Sequence, residues 1–216
     1  MVAKALESLR SALPSGVELV AVSKFHPVSR LMEAYDAGQR IFAESRPQEL
    51  AAKVPQMPSD VQWHFIGHLQ TNKLKLVLPY VDLVQSVDSL HLLEAINAWG
   101  AANGRTLNVL LELHLGAEET KQGFSAEEIL ELVHNRYNSI RIRGLMGMAT
   151  NTEDMAVVEK DFEKIEALFL KIRSEHPELT DFDQLSIGMS GDWPVAVRHH
   201  ATMVRIGTSI FGSRQM

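Results

Sequence analysis

Strand-like and helix-like segments alternate along the whole chain, and no linker, internal repeat or low-complexity tract interrupts them. Eight apolar segments are each followed by polar or helical residues, which is the order of a repeated βα unit. Eight such units in 216 residues predict a (β/α)8 barrel, an α/β fold in which parallel strands close inside a layer of helices. The predicted strands are residues 17–24, 41–44, 62–67, 83–87, 106–115, 142–149, 185–190 and 203–208.

Helix signals support the same order. Residues 2–12 form an amphipathic pattern before the first strand, and residues 71–77 are predicted to form the helix after the third strand. Ser125 and Glu128 have the spacing of a capping box. A doubly wound open sheet is the alternative, and it is disfavoured because no glycine-rich nucleotide-binding motif follows the first strand. We therefore predict one barrel domain over residues 1–216, with an extra N-terminal helix.

The composition excludes several classes of function. The net charge is -6, and no basic stripe indicates a nucleic-acid partner. The chain has no cysteine, which excludes disulfides and thiolate chemistry. The N-terminus is amphipathic rather than a signal peptide, and no apolar run reaches membrane-spanning length. These features predict a cytoplasmic protein that has no contact with membranes.

A lysine ends the first predicted strand, which is otherwise apolar. Side chains alternate across a strand, so Val20, Val22 and Lys24 share one face. Partial desolvation at the end of such a face lowers the pKa of an amine and favours the neutral form, which attacks carbonyls to form a Schiff base. The alternative is a lysine that simply extends into water past apolar surface.

The ends of the last two strands carry glycines and hydroxyls. In (β/α)8 barrels, ligands bind at the C-terminal ends of the strands, and the loops after strands seven and eight commonly hold phosphate. Ser190 ends the seventh predicted strand, and Gly207 and Thr208 end the eighth. Arg205 shares a strand face with Gly207, and Lys24 lies on the neighbouring first strand. Singly these segments are typical of ordinary turns, but together they indicate a phosphorylated aldehyde or ketone as ligand.

Seven stretches, in order over nearly the whole chain, match the motifs of a known family. The most specific is residues 63–73, Trp-His-Phe-Ile-Gly-His-Leu-Gln-Thr-Asn-Lys. On these motifs the chain resembles the pyridoxal phosphate homeostasis proteins, also called proline synthetase co-transcribed homologues, which are single-domain relatives of the alanine racemase barrel. The other matching stretches are residues 21–24, 42–49, 119–124, 144–146, 185–190 and 204–208.

The resemblance implies a cofactor and its site. It implies that Lys24 carries pyridoxal 5'-phosphate as a Schiff base, and that Ser190, Gly207 and Thr208 match phosphate-binding positions. It also implies that Arg205 faces the pyridine nitrogen. A guanidinium cannot accept the proton of the ring, so the pyridine would stay unprotonated and would be a weaker electron sink. We therefore expect muted carbanion chemistry at the cofactor.

The chain departs from the family pattern at two places. The family usually has Phe-Gly-Glu-Asn-Arg-Val-Gln-Glu at the second strand, where this chain has Ala43, Ser45 and Pro47. Ser45 is shorter than asparagine and loses any contact that the amide makes. Phe25 and His26 replace the usual Thr-Lys after the cofactor lysine, which removes a second amine near the site.

Three weaker signals lie near these motifs. Asn72 lies where the third predicted helix begins, and it is predicted either to touch the ligand or to start a surface helix. Met146 is expected to fill the barrel and to pack on the cofactor ring. His64 and His68 are four residues apart but on a strand and the turn after it, with no clear third ligand, so we predict no metal site.

Three functions fit these observations: a reversible pyridoxal phosphate carrier, a pyridoxal phosphate-dependent racemase-like enzyme, and a Schiff-base aldolase for a sugar phosphate. Racemisation needs proton donors on both faces of the substrate carbon. Alanine racemase takes a tyrosine base from the C-terminal domain of its partner subunit, whereas Tyr35, Tyr80 and Tyr137 here do not lie at the C-terminal end of any predicted strand. The motifs favour cofactor over sugar. We therefore expect a carrier without robust turnover, which is a monomer and supplies recipient apo-enzymes.

Overall fold

The computed structural model describes residues 1–116 and 122–212. Eight parallel strands follow one another in chain order and close into a barrel, with β8 paired to β1. This confirms the predicted (β/α)8 architecture. The strands are β1 (Glu18–Val22), β2 (Ile41–Glu44), β3 (Gln62–Phe65), β4 (Leu83–Val87), β5 (Leu107–Leu113), β6 (Ile140–Gly147), β7 (Gln184–Ser186) and β8 (Met203–Ile206).

The helices surround the barrel, and the extra N-terminal helix is present as predicted. The α-helices are α1 (Val2–Ala12), α2 (Val28–Asp36), α3 (Pro47–Lys53), α4 (Leu90–Asn103), α5 (Ala126–Leu132), α6 (Met155–Glu175), α7 (Trp193–Arg198) and α8 (Thr208–Phe211). The described residues also form two 3-10 helices, η1 (Val54–Gln56) and η2 (Thr71–Leu76). No helix in the described ranges is long and apolar enough to cross a membrane.

Several predicted boundaries are wrong. The segment after β3 is the 3-10 helix η2 rather than an α-helix. Strand β1 stops at Val22, two residues before Lys24, because the chain turns there and Phe25 adopts a φ of 68°. Strand β7 stops at Ser186, because Gly188 has a φ of 91° and ends the extended backbone. Part of the motif at 119–124 lies outside the described residues.

Two apolar layers lie on the two sides of the barrel wall. The outer layer joins strands to helices and contains the large fully buried side chains, such as Phe42, Phe65 and Phe162. The inner layer fills the lower barrel with Val20, Ala43, Leu83, Leu110, Met146 and Met203. Because side chains alternate along each strand, polar residues two positions after a member of this inner layer also point into the barrel.

Candidate functional site

Lys24 lies at the C-terminal mouth of the barrel, in the turn after β1. Its side chain is half-buried, and the preceding Ser23 is fully buried. Val20 belongs to the inner layer and Val22 packs against it, which confirms the predicted face for these two residues. Lys24 follows these residues at the upper edge of the barrel interior.

The ends of β8 and β1 are in close contact. Ala21 is the register partner of Ile206, so Gly207 comes next to Val22. A Cβ atom added at Gly207 would lie 3.0 Å from the carbonyl oxygen of Val22, which leaves little room for any side chain there. Thr208 follows as the exposed first residue of α8. The structure therefore places Gly207 and Thr208 beside the end of the strand that leads to Lys24.

The loop after β7 is tied to β8 by its backbone. The N–H of Arg205 donates to the carbonyl of Gly188 at 2.9 Å. A Cβ at Gly188 would lie 2.6 Å from the Cβ of Ala196 in α7, so the close approach of the loop to this helix requires glycine. The half-buried Ser190 follows in this loop, and the Asp192 carboxylate accepts the N–H of Met189. Ser190 thus belongs to the same mouth as Gly207.

Arg205 is buried inside the barrel, with only 4% of its surface exposed. Its Nη1 donates to the carbonyl of Ser186 at 2.7 Å and to the Oγ of the same residue at 2.6 Å. Its Nη2 donates to the carbonyl of Gly147 at 2.9 Å. These acceptors are neutral, and in ranges 1–116 and 122–212 no carboxylate forms a salt bridge with the guanidinium. The site therefore contains a cation held by neutral oxygens.

Arg205 begins a chain of hydrogen bonds that crosses the barrel. Ser186 Oγ donates to Gln85 Oε1 at 2.7 Å. Gln85 Nε2 in turn lies 2.9 Å from His64 Nδ1, which accepts because the amide nitrogen can only donate. The four side chains come from β8, β7, β4 and β3, so this chain fixes the guanidinium from the far wall of the barrel.

Burial sets the protonation states in this chain. It lowers the pKa of His64 from its ordinary 6.5 to about 3, so the ring is neutral at pH 7 and carries its proton on Nε2. It also lowers the pKa of Arg205 to about 10, although the negative charges of Glu112 and Asp192 oppose this shift. Arg205 stays protonated at neutral pH, and it is the only charge in the hydrogen-bonded chain.

Glu112 on β5 is a second buried ionisable group near Arg205, and sequence reasoning missed it. Burial first, and then the charge of Asp88, raises its pKa to about 7, while Arg205 and His68 lower it. Its carboxylate makes no side-chain hydrogen bond to the described residues. Within Leu107–Leu113 it is the only acidic residue in an apolar strand, and this was the available signal.

The other predicted contact residues lie in different places. Met146 is buried in the inner layer, where its register partner on β7 is Ser186. Asn72 is exposed in η2, and among the described residues no hydrogen bond or ion pair joins it to the mouth. The His68 ring pairs with Asp88 at 2.8 Å, whereas His64 lies inside the barrel. No group of three metal-ligating side chains is found among the described residues.

The residues that depart from the family pattern pack against other residues of the chain. The Arg46 guanidinium lies 4.4 Å from the centroid of the Phe25 ring. The His26 ring lies 4.9 Å from that of Phe211 in α8. A Cβ at Gly67 would lie 2.1 Å from the carbonyl oxygen of Ser45, so the loops after β2 and β3 touch through their backbones. Both departures are therefore accommodated by local packing at the mouth.

Comparison with known proteins identifies the family. Residues 2–215 match the family described as alanine racemase, N-terminal domain. The chain belongs to this family. It is 39% identical over 203 residues to the pyridoxal phosphate homeostasis protein of Haemophilus influenzae, which covers 92% of this chain and 85% of the relative. The resemblance deduced from the sequence motifs is thereby confirmed.

Two further relatives extend the comparison. The pyridoxal phosphate homeostasis protein of Schizosaccharomyces pombe is 40% identical over 211 residues, covering 95% of this chain and 87% of the relative. PipY of Synechococcus elongatus PCC7942, solved with pyridoxal phosphate bound, superimposes with a TM-score of 0.89 at 36% identity. That alignment covers 98% of this chain and 100% of PipY.

Replacement of His64 by glutamine should make the stability of the protein less dependent on pH. Below about pH 6.5 the unfolded chain binds a proton at His64, whereas the folded chain resists protonation down to about pH 3. The folded state of the wild type should therefore lose up to about 1.4 kcal/mol per pH unit as the pH falls through this window. Urea unfolding at pH 7, 6 and 5 measures this loss. Parallel pH profiles for wild type and His64→Gln would contradict the neutral, buried state.

Proposed function

We propose that this protein binds pyridoxal 5'-phosphate reversibly at Lys24 and acts in pyridoxal phosphate homeostasis as a carrier or buffer. The observation that carries the proposal is the juxtaposition at the mouth. Lys24 follows β1, the glycine and threonine at the end of β8 lie beside that strand, and Arg205 lies buried below them. The homeostasis proteins and the pyridoxal phosphate complex of PipY, at 35–40% identity, support the choice of ligand.

The residues at the mouth fit this cofactor. Its aldehyde forms a Schiff base with a lysine amine, and its pyridine ring serves as an electron sink. Lys24 supplies the amine from a half-buried turn. Ser190 and Thr208 supply hydroxyl donors, and Gly207 allows the phosphate to approach the backbone because it has no side chain. The N–H groups of Thr208 and Ser209, at the start of α8, are proposed as further donors to the phosphate, whereas those of Ile210 and Phe211 donate to the carbonyl of Gly207.

Arg205 holds the ring end of the site. Its position is fixed by Ser186 and Gly147, so the guanidinium is preorganised before the ligand arrives. Since a guanidinium only donates hydrogen bonds, it favours an unprotonated pyridine nitrogen. This weakens the ring as an electron sink and favours binding over turnover. Met146, in the inner layer below, and Asn72, in η2, are proposed as the remaining contacts.

The tyrosines of the chain support a carrier rather than a racemase-like enzyme. Tyr35 lies in α2 and donates to Asp60 at 2.7 Å. Tyr80 precedes β4 and Tyr137 precedes β6, so both lie towards the N-terminal ends of strands, away from the mouth. We further propose that the carrier is a cytoplasmic monomer of one domain and that apo-enzymes are its recipients. The racemase-like alternative rests on Glu112, a buried carboxyl near Arg205 with a pKa of about 7.

Substitution of Lys24 by alanine should abolish covalent capture of the cofactor, because it removes the amine proposed to form the Schiff base. Wild-type protein loaded with pyridoxal phosphate and reduced with borohydride should carry one phosphopyridoxyl group on the peptide that contains Lys24, a gain equal to the cofactor minus the water lost in Schiff-base formation plus the two hydrogens added by reduction. Lys24→Ala should gain none, whereas Lys4→Ala, a change on the exposed face of α1, should behave as wild type. A wild type without the adduct, or with the adduct on another lysine, would refute the proposal.

Removal of the hydroxyl of Ser190 or of Thr208 should weaken only the part of the binding that the phosphate contributes. Ser190→Ala and Thr208→Ala should each lower the affinity for pyridoxal phosphate roughly tenfold, since a hydrogen bond to a charged group contributes about 1.5–3 kcal/mol. Affinity for pyridoxal, which has no phosphate, should stay unchanged in both variants. Ser11→Ala in α1 is the matched control. Equal losses for the two ligands in absorbance titrations would show that these hydroxyls do not bind the phosphate.

The carrier and the racemase-like enzyme differ in proton exchange at the substrate carbon. Holo-protein incubated with D- and L-amino acids in deuterated water should incorporate deuterium at the α-carbon far more slowly than about one turnover per second, the low end for enzymes. Mass spectrometry measures this incorporation. Exchange at an enzyme-like rate that Glu112→Gln removes would favour the racemase-like function instead.

A further inference from the structure

A buried ionic cluster lies directly behind the turn that carries Lys24. Lys53, at the end of α3, donates from its Nζ to Glu44 Oε1 at 2.7 Å and to Glu49 Oε1 at 2.7 Å. It also donates to the carbonyl of Ser23 at 2.8 Å. The side chain of Lys53 is 7% exposed and that of Glu44 is fully buried. We call Glu44, Glu49 and Lys53 the triad.

The triad is bonded to both residues that flank Lys24. On the N-terminal side, Ser23 Oγ donates to Glu44 Oε1 at 2.6 Å, and the Ser23 carbonyl accepts from Lys53. On the C-terminal side, the N–H of Phe25 donates to Glu49 Oε1 at 2.7 Å. The peptide groups before and after Lys24 are therefore both attached to one rigid ionic group.

The triad is expensive to maintain. Burial raises the pKa of Glu44, an effect that the charge of Lys53 opposes, and Glu44 Oε2 has no hydrogen-bond partner in the part of the chain that the structure describes. Buried ion pairs are often no more stabilising than apolar residues of the same volume. Phe25 adds a left-handed φ of 68°, which is unfavourable for a residue with a side chain. These unfavourable contributions all occur at one turn, which indicates that the turn has to hold a particular geometry.

We propose that the triad is a positioning device that holds the backbone of residues 23–25, and thereby aims the Lys24 amine at the aldehyde of the cofactor. This inference rests on the proposed role of Lys24. Schiff-base formation requires the amine to approach the carbonyl carbon within a narrow range of directions. Misplacement of a reacting group by about 1 Å can lower a reaction rate about one hundredfold. The triad contributes no atom to the bond. It acts through Lys24.

Two ligands separate this role from a merely structural one. Pyridoxal 5'-phosphate has the aldehyde that Lys24 attacks, whereas pyridoxine 5'-phosphate has an alcohol in its place and binds only through its ring and phosphate. In Glu49→Ala, which removes the acceptor of Phe25 N–H, affinity for pyridoxal 5'-phosphate should fall at least about tenfold. Affinity for pyridoxine 5'-phosphate should stay within about twofold of wild type. Amide hydrogen exchange at residues 23–25 should be faster than in wild type.

A second variant and a matched control complete the experiment. Lys53→Met removes the central cation and should give the same selective loss; it is the more disruptive change, because it leaves buried carboxylates without their partner. Glu49 is 20% exposed, so Glu49→Ala is the variant expected to fold. The control is Glu166→Ala: Glu166 is 16% exposed and bonds to His199 and His200 after α7, away from the mouth. It should lose stability with no change in affinity for either ligand.

The outcomes distinguish the positioning role of the triad from the proposed carrier function on which it rests. Selective loss of affinity for the aldehyde ligand in a folded Glu49→Ala supports the positioning role. Equal losses of affinity for both ligands, or unchanged affinity for both, overturn the positioning role. In that case the adduct trapped at Lys24 in the wild type still supports the proposed function. A wild type that forms no adduct refutes the proposed function and the inference with it.

Discussion

The guanidinium of Arg205 is the charge around which the barrel interior is arranged. Moving a cation out of water costs several kcal/mol, and here the guanidinium recovers part of this cost by donating three hydrogen bonds to neutral oxygens. Those oxygens must then be held in place themselves. Ser186 is held by Gln85, and Gln85 in turn requires a neutral His64. The low pKa of His64 comes from the burial of its own ring, and the neutral state that results lets its Nδ1 accept the hydrogen bond that orients Gln85.

The backbone, rather than direct side-chain contact, sets the relation between this cation and Lys24. Arg205 is the register partner of Val20, four residues before Lys24 on the adjacent strand. Hydrogen bonds of the parallel ladder fix that offset, and the close contact of Gly207 with Val22 fixes the spacing at the top. A ligand that spans both groups therefore meets a preformed site. The free-energy cost of ordering these residues is met when the barrel folds rather than when a ligand binds.

Local patterns in the sequence were sufficient for the barrel and for the residues on one strand face. Alternation placed Val20, Val22 and Lys24 together, and it placed Arg205 below Gly207, because these relations span only a few residues. The hydrogen bond between Ser186 and Gln85 joins positions 101 residues apart, and that between Gln85 and His64 joins positions 21 apart. No periodicity reports such pairs. The end of β1 was also missed, since the φ of Phe25 is set by contacts from elsewhere, such as that with Glu49.

The proposed carrier function places two demands on the chain, and different residues meet them. Reversible capture requires a reactive amine held in a productive direction, which is the task proposed for Glu44, Glu49 and Lys53 behind the turn. Retention without turnover requires that the ring be bound but not activated, and a guanidinium does this because it donates hydrogen bonds and accepts none. An acid in the place of Arg205 would hold a proton on the ring nitrogen and favour loss of a substrate proton. Under the proposed function, the same buried arginine that organises the interior would also limit the chemistry available at the mouth.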